Sequence, residues 1–108
     1  MILTTTNEIK GVEIIAYQGV VTAEVVYGTN ALRDFFAGIR DMIGGRTGSY
    51  EKIFEKGHQE ALQELEHRAK KLGADAVIGI GLDTGTINID DKGVLLLITA
   101  SGTAVKLR

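Results

Sequence analysis

The stretch Gly19-Val-Val-Thr-Ala-Glu-Val-Val-Tyr-Gly-Thr-Asn30, continued by Ala31-Leu-Arg-Asp-Phe-Phe-Ala-Gly-Ile-Arg-Asp-Met-Ile43, decides the fold, because its hydrophobic period changes partway. From Val20 to Tyr27 the residues are largely β-branched, the composition of a strand. From Asn30 onward, apolar residues fall at Leu32, Phe35, Phe36, Ile39, Met42 and Ile43, the spacing of one helical face. A strand therefore runs directly into a helix. Asn30 is the expected N-cap, and Asp34 sits where the helix dipole favours an acid.

Working back toward the N-terminus, Val12, Ile14 and Ala16 alternate with Glu13, although Ile15 breaks the pattern. Gln18-Gly19 then reads either as a bulge within one long strand or as a break between two. Working forward, Gly44-Gly45 ends the first helix and Ser49 is placed to cap a second, longer one. The core stripe of that helix is expected at Phe54, Ala61, Leu65, Ala69 and Leu72, widened by Ile53 and Leu62. Its acids precede a basic end at Arg68, Lys70 and Lys71, and Glu64 with Arg68 and Glu66 with Lys70 form well-ordered i, i+4 pairs. Gly73 supplies the stop. The last third is extended again. Ile78, Ile80 and Leu82 alternate with Gly79 and Gly81, Asp90-Asp91-Lys92-Gly93 reads as a hairpin turn, and Val94 to Ile98 is apolar on both faces.

The order is β-α-α-β-β, an α+β domain whose small, mostly antiparallel sheet carries its helices on one face. Two helices cover one face of a sheet, yet the last strands are apolar on both. A second copy of the chain is the expected cover, so we expect a homo-oligomer with contacts through the sheet.

Composition narrows the function. One domain accounts for all 108 residues. Twelve basic against fourteen acidic residues leave a net charge of −2, without the basic excess of a nucleic-acid footprint. No apolar run approaches a membrane span, and the first residues lack the plan of a signal peptide, so a cytoplasmic protein without membrane or nucleic-acid partners is expected. The absence of cysteine removes disulfides, thiolate nucleophiles and thiolate-bound metals.

Among short motifs, Gly44-Gly45-Arg46-Thr47-Gly48-Ser49-Tyr50-Glu51 is the leading candidate site. Glycines free the backbone to turn N–H groups toward a ligand, a helix N-terminus adds positive field, and Arg46 adds a planar cation. The candidate ligand-binding residues are Gly44, Gly45, Arg46, Ser49, Tyr50 and Glu51. The same stretch also reads as a tight helix connection in which Arg46 pairs with a carboxylate. It is not a P-loop, since no strand precedes it and no Lys-Ser/Thr follows the glycines. His58 and His67 lie nine residues apart, on opposite sides of one helix, so one chain does not chelate with both. Asp75 reads as a cap or ion-pair partner before it reads as a base, and no residue set forms a catalytic constellation. No metal site and no particular cofactor are assigned.

Three segments together carry a resemblance: Phe35 to Glu51 (FFAGIRDMIGGRTGSYE), Leu72 to Ile80 (LGADAVIGI) and Ala100 to Val105 (ASGTAV), with Gly19 to Asn30 fitting as well. In this order and spacing they resemble the YbjQ-like family of small bacterial and archaeal proteins, often labelled heavy-metal-binding, across nearly the whole chain. The resemblance implies a dodecin-like architecture assembled as a ring, a homopentamer, and implies no particular reaction. It also implies that the glycine-arginine stretch either binds a ligand or locks neighbouring subunits. The expected function is a ring-forming module that holds a small anion or metal at subunit boundaries. The alternatives are a structural or adaptor oligomer without a ligand and, less favoured, an enzyme.

Overall fold

A computed structural model describes residues 1–43, 46–88 and 93–108, with side chains set aside at position 36 and over positions 38–50. The elements run β1 (Ile2–Leu3), β2 (Ile14–Tyr27), α1 (Thr29–Ile43), α2 (Arg46–Lys71), β3 (Ala76–Asn88) and β4 (Val94–Leu107). They form a four-stranded sheet in the order β1-β3-β4-β2. The pairs β2–β4 and β3–β4 are antiparallel, and the short β1 runs parallel to β3. The expected α+β architecture is present, with one strand more than the sequence pattern gave: two residues are too few to show a period.

Strand β2 is one long strand, not two. It carries register shifts between Ile14 and Ala16 and between Tyr17 and Gly19, where Gly19 takes a φ of 123°. Helix α1 begins at Thr29, one residue before the expected cap. The Thr29 hydroxyl donates to the Val94 carbonyl at 3.2 Å and accepts from the Val94 amide at 3.1 Å, tying the helix start to the head of β4. Gly93 packs so closely against Thr29, at a φ of 108°, that a side chain there would collide with the threonine.

Helix α2 ends as its sequence predicts. The Ala74 amide donates to the Ala69 carbonyl and the Gly73 amide to the Lys70 carbonyl, with Gly73 at a φ of 76°. This double closure is the Schellman motif, which needs a left-handed residue that glycine supplies without strain. It also puts Leu72 beyond the last helical turn, so Leu72 is 45% exposed and does not join the core stripe. The buried row on α2 is Ile53, Gly57, Ala61, Leu65 and Ala69. Phe54 and Leu62 flank it, half buried.

That row packs on Val21, Ala23 and Tyr27 of β2, Val77 and Ile80 of β3, and Leu96, Ile98 and Ala100 of β4. Gly57 lets the helix come close, since a Cβ there would overlap Ile98. A second, smaller cluster lies on the other face, where Ile9, Ile14 and Leu107 pack over Ala76, Ile78 and Val105. The N-terminal segment that brings Ile9 there is bonded to β3: the Gly79 amide donates to the Thr6 carbonyl and the Ile80 amide to the Thr4 carbonyl.

The β3–β4 register shifts between Ile78 and Gly81, with Gly79 at a φ of 62°. The shift corrects the alternation expected for β3. Ile78 faces the N-terminal segment while Ile80 faces α2, because the bulge reverses the phase of the strand between them.

Candidate functional site

Of the six sequence candidates, Gly44 and Gly45 lie outside the described residues. Arg46, Ser49 and Tyr50 belong by backbone to the first turns of α2, and Glu51 is exposed one position further on. Ser49 is therefore inside the helix and not its N-cap: α2 starts at Arg46, three residues before that expected cap. Gly48 is held within the helix, whose context overrides a local cost of about 1 kcal/mol. The turn residues Asp90, Asp91 and Lys92 lie outside the described residues. The pairing of Asn88 with Val94 does make β3 and β4 a hairpin.

A polar cluster not anticipated from the sequence sits where β2 meets α2. The Tyr27 hydroxyl donates to Glu60 Oε2 at 2.7 Å, Lys56 pairs with the other oxygen of Glu60, and the Lys56 ammonium lies 5.3 Å from the Tyr27 ring centroid. Burial, then the hydrogen bond to Glu60, raises the Tyr27 hydroxyl above the ordinary tyrosine value. The Lys56 and Tyr27 hydrogen bonds hold Glu60 below the ordinary carboxylate value. Lys56 and Glu60 are legible as an i, i+4 helix pair, but nothing local to Tyr27 announces that it meets them. All three groups are mutually satisfied, so the cluster clasps strand to helix.

Asp75 takes the ion-pair role. Its Oδ2 accepts from the Leu107 amide at 2.9 Å, and Oδ1 lies 3.5 Å from Lys106 Nζ. The Leu107 amide is the main cause of its lowered pKa. The expected helix pairs are also formed, Arg68–Glu64 at 3.0 Å and Lys70–Glu66 at 3.7 Å. His58 is half buried and His67 exposed on α2. Among the described residues, no group of three His, Cys, Asp or Glu side chains is placed to hold a metal ion. With no cysteine in the sequence as well, the described residues of one chain do not fit a site for a soft heavy metal. No helix among the described residues is long and apolar enough to cross a membrane.

A further unclaimed feature is the sheet face away from α2. Register places Tyr17, Val20, Thr22, Glu24 and Val26 of β2 on that face, beside Leu95, Leu97, Thr99, Ser101 and Thr103 of β4. Gly81, Asp83, Gly85 and Ile87 of β3 continue it. Val20 is 77% exposed and Tyr17 71%, although both belong to strands whose other face is core. The N-terminal segment covers only the end around Ile78 and Val105.

These features define a class: a small two-layer α+β domain with helices on one side of a mixed sheet and, on the other, an open face with an apolar cluster at each end. The fold is shared with a protein of unknown function from Pediococcus pentosaceus, assigned to the DUF74 family. That likeness has a TM-score of 0.68 at 20% identity and covers 100% of this chain and 98% of that one. A family model, YbjQ_1, described as "Putative heavy-metal-binding", matches residues 1–108. A UPF0145 protein of Picosynechococcus sp. is 83% identical over 99% of both chains. Another, from Nostoc punctiforme, is 69% identical over 100% of both. The chain belongs to the YbjQ family, among its UPF0145 members.

Proposed function

We propose that this chain works as a self-assembling module, a homo-oligomeric ring of five copies, that holds a small ligand where its subunits meet. The open sheet face carries the reading. A soluble monomer rarely exposes contiguous apolar patches beyond a few hundred Å². Here Val26 and Ile87 are each at least half exposed at one end of the face, with Leu95 and Leu97 between them, and Tyr17 and Val20 are exposed at the other end, across a band of Thr22, Glu24, Thr99, Ser101 and Asp83. A second copy is the simplest cover, because every copy presents the same face at the same concentration.

The ligand reading rests on the helix hairpin and on the family description. Arg46 is the first residue of α2, so the sequence puts a cationic residue type at a positive helix terminus, the chemistry of an anion site. A metal would need oxygen or imidazole donors from more than one copy, given the donor set of a single chain.

Native mass spectrometry of protein taken directly from its expression host, with elemental analysis alongside, tests both halves. A ring carrying a reproducible extra mass is the expected result. A monomer at micromolar concentration overturns the assembly. A ring without added mass whose melting temperature is indifferent to phosphate, carboxylates and divalent metals overturns the ligand and leaves a scaffold. Replacing Arg46 with Ala should abolish any ligand-dependent rise in melting temperature while the ring stays intact; a ring that falls apart makes Arg46 an interface residue.

A further inference from the structure

The two long edges of the sheet are unlike, and the difference has a consequence for how copies meet. Along β3, residues Gly81 to Asn88 pair only with β4, and all eight are exposed. This edge has few of the usual protections: no lysine, no proline, and no register shift beyond Gly81. Asp83 is its one charge, and it has no ion-pair partner among the described residues. Edge β2 is guarded instead. Arg68 reaches around it, donating to the Thr22 carbonyl at 2.6 Å and to Glu24 Oε2 at 3.3 Å. Beside that guard lies an open groove of about 360 Å³ lined by Val20, Val21, Thr22, Arg68, Lys71 and Leu72. Val20 and Leu72 are exposed there, and Lys71 has no ion-pair partner among the described residues.

We infer that the contact between neighbouring copies joins these unlike edges: the Gly81–Asn88 edge of one copy lies against the Val20–Leu72 groove of the next, with Asp83 beside Lys71. The inference rests on the assembly proposed above and names its contact. Three observations support it. The charges left over on the two edges are opposite in sign. The exposed apolar side chains Leu82 and Ile87 on one edge answer Val20 and Leu72 on the other. Arg68, reaching from the helix layer to Glu24 on the far face, shows that a long cation near the end of α2 spans the edge. Pairing β3 with its own copy would bring the two Asp83 carboxylates near each other and leave both grooves bare. A contact between unlike surfaces is also the kind that propagates around a ring, whereas a contact between like surfaces stops at a dimer.

The cysteine-free sequence makes the test clean. Asp83→Cys and Lys71→Cys are made singly and together, at exposed positions, and treated with a short bis-maleimide after native mass spectrometry of the parent protein. The double variant should give a covalent ladder extending beyond the dimer, and each single variant should give none. Asp83→Lys should weaken assembly about tenfold or more, with Lys71→Asp restoring it in the double reversal. A covalent dimer from Asp83→Cys alone would reveal like-with-like edges and overturn the inference. So would an oligomeric double variant that gives no ladder, and in both cases the assembly itself would stand. A monomeric parent protein removes the assembly and this contact with it.

Discussion

Gly57 offers the sharpest test of the packing argument. It is buried in the middle of α2, where glycine costs about 1 kcal/mol of helix propensity relative to alanine, so propensity alone makes Gly57→Ala stabilising. The tertiary structure argues the reverse. An added Cβ would overlap Ile98 Cδ1, and would sit 3.2 Å from Tyr27 Cε2 and 3.3 Å from Ile98 Cγ1. Ile98 is fully buried, so its Cδ1 has no free space to swing into. Overpacking of this kind costs about 1–3 kcal/mol. The net expectation is a loss of about 0–2 kcal/mol, at about 4–8 °C of melting temperature per kcal/mol for a domain near this size. Ile98→Val removes the colliding atom. Alone it should cost about 0.5–1.5 kcal/mol for the methylene it deletes. In the Gly57→Ala background the new methyl fills that space, so the two changes should couple favourably by about 1 kcal/mol or more. Urea unfolding of the four proteins measures this, at one protein concentration so that any assembly contributes equally. A Gly57→Ala variant stabilised by its full propensity gain, with strictly additive effects in the double variant, would refute the close approach of α2 to the sheet.

Other consequences are more local. Tyr27→Phe removes the hydroxyl that donates to Glu60 and should destabilise by about 1 kcal/mol, while NMR titration shows the Glu60 carboxyl moving back up toward its ordinary value. Gly73→Ala places a side chain at a φ of 76° where Gln18 Nε2, at 3.9 Å, is in ordinary contact, so backbone strain and not collision acts and urea midpoints should report a loss of about 1–2 kcal/mol. Asp75 has a folded-state pKa lowered chiefly by the Leu107 amide. Its stabilising effect is therefore full above the unfolded carboxylate value of about 4 and is lost as pH falls through the folded one. Thermal unfolding should show that acid loss, and Asp75→Asn should flatten part of it; an unchanged profile would contradict the Leu107 contact.

The sequence was most informative where structure is local. Helix α2 was legible because its apolar spacing, its i, i+4 ion pairs and its glycine stop all act within a few residues; the pairs and the stop are in place, and the apolar stripe is too, except that Leu72 lies beyond the last turn and Phe54 only flanks the buried row. Its start was misread, because Ser49 has the right chemistry for a cap but the helix continues through it to Arg46. The candidate stretch around Gly44 and Gly45 was legible as a motif only. Tyr27 with Glu60 was not legible at all: the two are 33 residues apart, and only the packing of α2 across β2 brings them together.

By itself, then, the sequence determined the alternation of strand and helix, the extent of the apolar last strand and the absence of thiolate chemistry. These depend on residue types and on spacing along one element. The tertiary structure alone decided which face each strand residue occupies. The bulge at Gly79 sends Ile78 and Ile80 to opposite sides, where strict alternation would have kept them together. It also decided that the N-terminal segment covers only one end of the second face, leaving Val20, Val26 and Ile87 exposed. The physical reason is that a strand's phase and cover are set by its hydrogen-bonded neighbours, and those neighbours lie far away along the chain.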